Sequence, residues 1–207
     1  MTPVLESAPA ALALWLALGY LAGSVPFGLV MARLFGLGDL RKIGSGNIGA
    51  TNVLRTGNRL AAALTLLLDA GKAGLMVLAA RLLAAEDAAQ LAGLAAFAGH
   101  CYPVWLGFRG GKGVATLFGL LFALAWPVGL AAGATWLATA ALWRFSSLAA
   151  LVAAASVPLW APGLGSAHLA ALGILLAALI FWRHRENIAR LLAGTEPRIG
   201  AGRKPGT

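Results

Sequence analysis

Three short stretches rich in glycine, asparagine and basic residues interrupt the apolar runs of this 207-residue chain. Residues 41–52 carry Arg41, Lys42, Gly44, Ser45, Gly46, Asn47, Gly49 and Asn52, with Arg55 just beyond. Residues 108–113 carry Arg109, Gly110, Gly111, Lys112 and Gly113. Residues 183–188 carry Arg183, His184, Arg185, Glu186 and Asn187. Backbone N–H groups left accessible by glycine, next to lysine and arginine, are what bind phosphate. The chemistry is that of an enzyme or carrier for phosphorylated substrates.

Each stretch also has a plainer reading. In the first, Ser45 offers a hydroxyl, Asn47 and Asn52 offer amides, and Arg55 offers a planar fork suited to phosphate. The Walker pattern is absent, and the stretch reads equally as a flexible polar loop with headgroup-binding arginines. In the second, a glycine nest leads into a helix from Val114, which favours an anion site at the helix N-terminus over an ordinary interfacial turn. In the third, His184 and Asn187 are three apart; His184 could act as a general base or a phosphate donor, or simply pack at the interface. Asp69 and Lys72, also three apart on one helix face, lie midway along an apolar run. They read either as a buried ion pair or as a substrate contact. His100 reads as a packing histidine, and His168 carries no assignment. The histidines are scattered and Cys101 is the only cysteine, so neither a metal site nor an intrachain disulfide is expected. No G-x-S-x-G elbow occurs, and no histidine is followed by an acid at the spacing of an H-x-x-x-x-D acyltransferase signature.

The elements that must position these residues are membrane helices. The chain is 60% apolar and only 11% charged, against about a quarter charged in soluble domains. The remaining apolar surface must face lipid. The net charge of +9 fits a positive-inside bias and anionic headgroups or substrates; no nucleic-acid module is present. The N-terminus reads as a retained first span rather than a secretory signal. A span needs about 20 residues. The apolar segments 10–34, 60–83 and 88–106 each supply one, the first kinked at Pro26. Segments 114–143 and 148–182 are too long for one span each. They are expected to break at Trp126-Pro127 and across Pro158 to Gly163. The expectation is an all-α, seven-span protein of a single domain over 1–207, the fourth and sixth spans short. The N-terminus lies outside and the C-terminus is cytoplasmic, with a tail frayed from about residue 195. This topology places Arg41, Lys42, Arg55, Arg59, Arg109, Lys112, Arg144 and the basic tail inside, with Glu6, Glu86 and Asp87 outside. A five-span alternative would move Arg144, Ser146 and Ser147 outside. Either way the three stretches share the cytoplasmic face.

Taken in order, the stretches at 23–28, 39–52, 68–74, 99–116, 144–148 and 183–188 resemble the bacterial membrane acyl-phosphate:glycerol-3-phosphate acyltransferases, the PlsY family. The resemblance covers nearly the whole chain. It implies transfer of a fatty acyl group from acyl phosphate to the 1-hydroxyl of glycerol 3-phosphate at the cytoplasmic face of the bacterial inner membrane. The products would be 1-acylglycerol 3-phosphate and phosphate, the first acylation of phospholipid synthesis. No cofactor is implied. The partners are the two substrates and membrane lipid, with a functional link to an enzyme that makes acyl phosphate. Carried over by motif, Ser45 and Arg55 belong to the first functional loop, Gly110, Gly111, Lys112 and Gly113 to the glycerol-phosphate-binding loop, and His184 and Asn187 to the third. Glu196 matches a structural acid and Ser147 a serine at the site's rim, whereas Cys101 replaces a bulkier residue. The candidate catalytic set is Ser45, Arg55, Lys112, His184 and Asn187. The candidate substrate-binding set is Gly44, Gly46, Asn47, Asn52, Gly110, Gly111, Gly113, Ser147, Asp69 and Lys72. Small residues Gly19, Gly23 and Gly28 are expected to make room for an acyl chain. Competing mechanisms are substrate-assisted transfer and a covalent acyl-Ser45. Competing functions are a phosphate-compound transporter, against which no repeated halves are found, and a scaffold, which leaves the mid-span charges unexplained.

Overall fold

The computed structural model describes residues 2–200; the expected tail beyond Gly200 lies outside the described residues. Among these, secondary structure is entirely helical. The α-helices are α1 (Pro9–Gly23), α2 (Phe27–Leu34), α3 (Ala50–Leu54), α4 (Arg59–Leu83), α5 (Glu86–Cys101), α6 (Val114–Leu124), α7 (Trp126–Trp143), α8 (Ser146–Gly163), α9 (Ala170–Arg183) and α10 (Arg185–Leu192). Pro26 separates α1 from α2, as its missing N–H and ring demand. Asn58 caps α4 by accepting the Ala61 N–H at 2.9 Å. The α6–α7 break falls at Ala125, and Pro127 sits in the first turn of α7, where it costs no hydrogen bond.

One expected break is displaced. Pro158 and Pro162 lie inside α8, which runs on to Gly163, and the chain turns at 164–166 instead. Proline is tolerated within a spanning helix when its neighbours re-satisfy the backbone. The sixth apolar segment is therefore an 18-residue helix rather than a short one, whereas α6, with 11 residues, is short as expected. Pro9–Leu34, Arg59–Leu83 and Ser146–Gly163 are each long and apolar enough to cross a membrane. A fourth crossing is obtained if Ala167–Arg183 and Arg185–Leu192, bent by 64°, count as one broken span.

Small residues set the helix spacing. A Cβ on Gly19 or Gly23 would lie 2.4 or 2.0 Å from the Ala92 or Ala96 carbonyl oxygen, so α1 packs backbone-close on α5. Gly28 meets the Ile48 carbonyl in the same way. Gly19 and Gly23 close a helix–helix contact and Gly28 a helix–loop contact, and none of the three lines the cavity at the basic end, which corrects their expected role at an acyl chain. α4 packs on both α5 and α6, α7 on α8, and α8 on α9. Arg81, near the end of α4, donates to the Ala123 and Leu124 carbonyls at 2.6 and 3.0 Å. It thereby satisfies terminal carbonyls of α6 that an apolar setting would leave unpaired.

The two ends of the bundle differ in charge. At one end Asp87 accepts the Glu6 and Ser7 N–H groups, and Arg81 pairs with Glu86 at 2.8 Å. The opposite end gathers all three basic stretches around one cavity. The stretch expected to fray from about residue 195 is tied down through Ile199, whose N–H donates to the Arg144 carbonyl at 2.6 Å.

Candidate active site

A cavity of about 550 Å³ opens between α3, α4, α6, α7, α8 and the α9–α10 bend. Its polar part is lined by Ser45, Asn47, Arg55, Lys112, Gly113, Ser147, His184, Asn187 and Glu196, drawn from elements up to 151 residues apart in sequence. Its apolar part runs along Leu66, Phe118, Phe122, Gly133, Trp136 and Leu137. Leu66, Phe122 and Leu137 are 49%, 45% and 65% exposed, so this arm opens sideways to where lipid would lie.

The first loop is built around Asn52. Its Nδ2 lies within donating range of the Leu40, Ile43 and Asn47 carbonyls at 2.9, 3.0 and 2.7 Å, and its Oδ1 accepts the Ser45 N–H at 3.2 Å. Asn52 is buried and does not line the cavity, so it shapes the loop instead of binding substrate. Gly44 and Gly46 take left-handed φ values of +55° and +68° and form the turn. They lie outside the lining as well, a second correction. Arg55 lines the cavity, and its side chain makes no hydrogen bond or ion pair among the described residues, leaving its fork free. Ser45 Oγ donates to no side chain among the described residues, so nothing beside it takes its proton.

The second loop departs from the expected glycine nest. The Gly110 and Gly111 N–H groups already donate to the Cys101 and His100 carbonyls at 3.1 and 3.0 Å. They cannot also serve phosphate, and neither glycine lines the cavity. Their role is close packing: a Cβ on Gly111 would lie 2.1 Å from His100 Nε2. Gly113 does reach the cavity. Its φ of +82° turns the chain into α6, and a Cβ there would strike the Phe97 ring at 2.1 Å. The N-terminal turn of α6, through Val114 and Ala115, thus faces the cavity beside Lys112.

Lys112 is held by a polar chain. Its ammonium donates to Asn187 Oδ1. Asn187 Nδ2 donates to Glu196 Oε1 at 2.7 Å, which also accepts Ser147 Oγ at 2.6 Å, while Arg190 Nε donates to Glu196 Oε2 at 2.7 Å. Burial pushes the Lys112 pKa down to about 8, with the Arg190 and Arg183 charges adding to it and Glu196 and Glu186 opposing. Burial would raise Glu196, but hydrogen bonds from Ser147, Asn187 and Arg190 overcome it and hold the carboxyl below its ordinary value.

His184 sits at the α9–α10 bend, 3% exposed. The contact of 2.8 Å between Nδ1 and the Ile180 carbonyl requires Nδ1 to carry the proton. Nε2 then holds a lone pair. Burial, with the nearby Lys112 and Arg183 charges, depresses its pKa to about 4. His184 is neutral at pH 7, able to accept a hydroxyl hydrogen bond but weak as a base.

At the inner end of the cavity, Lys72 Nζ has three acceptors for three protons: the Val25 carbonyl at 2.8 Å, Asp69 Oδ1 at 2.7 Å and His100 Nδ1 at 3.0 Å. Lys72 is fully occupied and off the lining, so the ion-pair reading holds for it and its expected substrate contact does not. Asp69 and His100 do border the cavity. His100, read from sequence as packing, and Arg59, left unassigned, are residues the sequence reading missed at the cavity wall. Arg59 follows Arg55 at a four-residue spacing, a visible signal; the approach of His100 to Asp69, 3.4 Å apart, had none.

The glycerol-3-phosphate acyltransferase family model matches residues 13–194. The glycerol-3-phosphate acyltransferase of Cereibacter sphaeroides (strain ATCC 17025 / ATH 2.4.3) is 67% identical over 96% of this chain and 94% of its own. That of Dinoroseobacter shibae is 62% identical over 98% and 100%. Among solved structures, the chain is similar to a crystal structure of PlsY, an integral membrane glycerol 3-phosphate acyltransferase, in its glycerol 3-phosphate form. The TM-score is 0.86 at 41% identity, covering 91% of this chain and 96% of that one. The lysophosphatidic acid form of PlsY gives 0.83 at 38% identity, covering 91% and 95%.

Proposed function

The chain belongs to the glycerol-3-phosphate acyltransferase family, and on that premise we propose that it moves a fatty acyl group from acyl phosphate to the 1-hydroxyl of glycerol 3-phosphate. One observation carries the reading: a single cavity joins a cationic mouth to an apolar arm open at the bundle's side. A phosphate-bearing head and a fatty chain need those two surroundings side by side. Lys112, Arg55 and the start of α6 hold phosphate oxygens, Arg59 extends the charge at the mouth, and the arm along Phe118, Phe122, Trp136 and Leu137 takes the chain.

Acyl phosphates are already activated, so the protein's task is positioning and charge neutralisation. His184 Nε2 accepts from the attacking hydroxyl and aims it at the acyl carbon. The hydroxyl oxygen bonds to that carbon, the bond from carbon to the bridging phosphate oxygen breaks, and the proton passes to the leaving phosphate. The proton's destination follows from the magnitudes. The conjugate acid of a phosphate dianion titrates near about 6, whereas His184 titrates at about 4. The phosphate is the stronger base by roughly two units. A covalent acyl-Ser45 finds no support, because no side chain lies ready to take the serine proton.

The membrane arrangement belongs to the same proposal. Seven spans, an outside N-terminus and a site at the cytoplasmic face of the inner membrane agree with the basic residues gathered at one end of the bundle. Acyl phosphate as donor implies an enzyme that supplies it nearby.

The test is phosphate release from palmitoyl phosphate by purified protein in lipid cubic phase or detergent. Release that requires glycerol 3-phosphate and is lost in Lys112→Ala is the expected result. No release from folded, homogeneous protein refutes the reading and makes liposome flux of glycerol 3-phosphate the next measurement. Near-normal turnover in His184→Gln would sharpen the mechanism by removing any base role for that residue.

A further inference from the structure

Arg183 ends α9, next to His184 and four residues before Asn187. Its Nε donates to the Gly111 carbonyl at 3.1 Å and its Nη2 to the Gly110 carbonyl at 2.9 Å. The same guanidinium stacks over the Tyr102 ring at 5.0 Å. The two glycine N–H groups go to the Cys101 and His100 carbonyls. Every backbone polar group of Gly110 and Gly111 therefore has a partner, half from α5 and half from Arg183. Lys112 follows with no residue between, and its ammonium ends on Asn187. The segment 183–187 thus grips the loop at its base through Arg183 and at the lysine tip through Asn187.

We propose that Arg183 is a positioning residue for Lys112, fixing the backbone from which that ammonium reaches the phosphate-binding mouth. A planar fork is what the site requires, because two carbonyls of adjacent residues are met by two nitrogens of one group while its face lies on an aromatic ring. A lysine at this position would have to reach both carbonyls from one nitrogen, and it lacks the planar face that lies on the ring. A flexible lysine side chain anchored only at its tip would sample many rotamers, and misplacement by about 1 Å costs on the order of 100-fold in rate. Arg183 touches no cavity-lining atom through its own hydrogen bonds, so its effect passes through the loop. The inference rests on the reading that Lys112 holds substrate phosphate.

The test compares Arg183→Met and Arg183→Lys with the parent enzyme in detergent, using palmitoyl phosphate and glycerol 3-phosphate. The expected loss in kcat/KM is about 10- to 100-fold for Arg183→Met, with a smaller loss for Arg183→Lys. The second readout is Lys112 itself. The chain has only four lysines, Lys42, Lys72, Lys112 and Lys204, so reductive ¹³C-methylation gives a short spectrum assignable with Lys112→Arg. In the parent, burial lowers Lys112 to about 8, with the Arg190 and Arg183 charges adding to the shift and Glu196 and Glu186 opposing it. Removing the Arg183 charge by itself raises that titration, so the positioning readout is Arg183→Lys, which keeps the charge: there the Lys112 resonance moves toward that of a solvent-exposed lysine and its titration moves up toward about 10.4. A folded Arg183→Met protein with parent kinetics overturns the proposal. So does lost activity in Arg183→Lys with an unmoved Lys112 signal, since that places the effect elsewhere. A parent enzyme that releases no phosphate fails the underlying reading instead, and the Lys112 spectrum still tests the positioning.

Discussion

Alkaline pH should remove the charge on which phosphate binding depends, and the size of the effect follows from Lys112. Burial brings its pKa to about 8. At pH 7 about 90% of the free enzyme carries the ammonium, and at pH 9 about 10% does, from the titration curve. If only the charged form binds, kcat/KM falls roughly tenfold between those values, with the limb centred near about 8. Substrate changes the position of the limb. A phosphate dianion beside the ammonium favours its charged form and raises its pKa. The limb in kcat, which reports the complex, therefore lies at higher pH than the limb in kcat/KM. His184, depressed to about 4, does not change its charge over this range. The assay is initial phosphate release from palmitoyl phosphate from pH 6.5 to 9.5, with spontaneous hydrolysis subtracted at each point. Lys112→Arg serves as the control, since guanidinium stays charged throughout. Whatever activity it retains should show no such limb. A profile flat to pH 9.5 in the parent, or an equal limb in Lys112→Arg, would refute the assignment.

Three further outcomes are expected. Asp69→Asn leaves the Lys72 ammonium buried without its counter-charge, and breaking such a pair costs about 3–5 kcal/mol. A clear fall in detergent melting temperature is the check, and an unchanged melt would contradict the ion-pair role. A Cβ at Gly133 meets nothing within 4 Å, so Gly133→Leu should fold while filling the apolar arm. Its kcat/KM should drop at least about tenfold for a sixteen-carbon donor and much less for a short one; equal losses at both lengths would place the chain elsewhere. Gly113→Ala forces a left-handed φ on alanine and drives a Cβ into the Phe97 ring. Measured by thermal melt and turnover, it should lose several kcal/mol of stability, of the order seen for overpacking plus strain, and most activity; parent-like behaviour would show that the α6 start tolerates rearrangement.

Much of this protein is legible in one dimension. Apolar runs longer than about 20 residues with so few charges must face lipid, and Pro26 and Pro127 mark breaks by removing backbone donors. Glycine and arginine clustered between such runs announce phosphate, and the motifs in order announce the family. These are local properties of composition and spacing. Pro158 and Pro162 misled, because whether a proline breaks a helix depends on neighbours that re-satisfy its turn.

Tertiary structure decided which groups remain free. Gly110 and Gly111 look like a nest, yet their amides are used by α5 and their carbonyls by Arg183. Asn52 looks like a ligand and instead holds a loop together. Lys72 looks like an open charge and has all three protons engaged. Residue type states what a side chain can donate or accept. Which partners already hold it is set by contacts between residues distant in sequence, and only the folded chain brings those together.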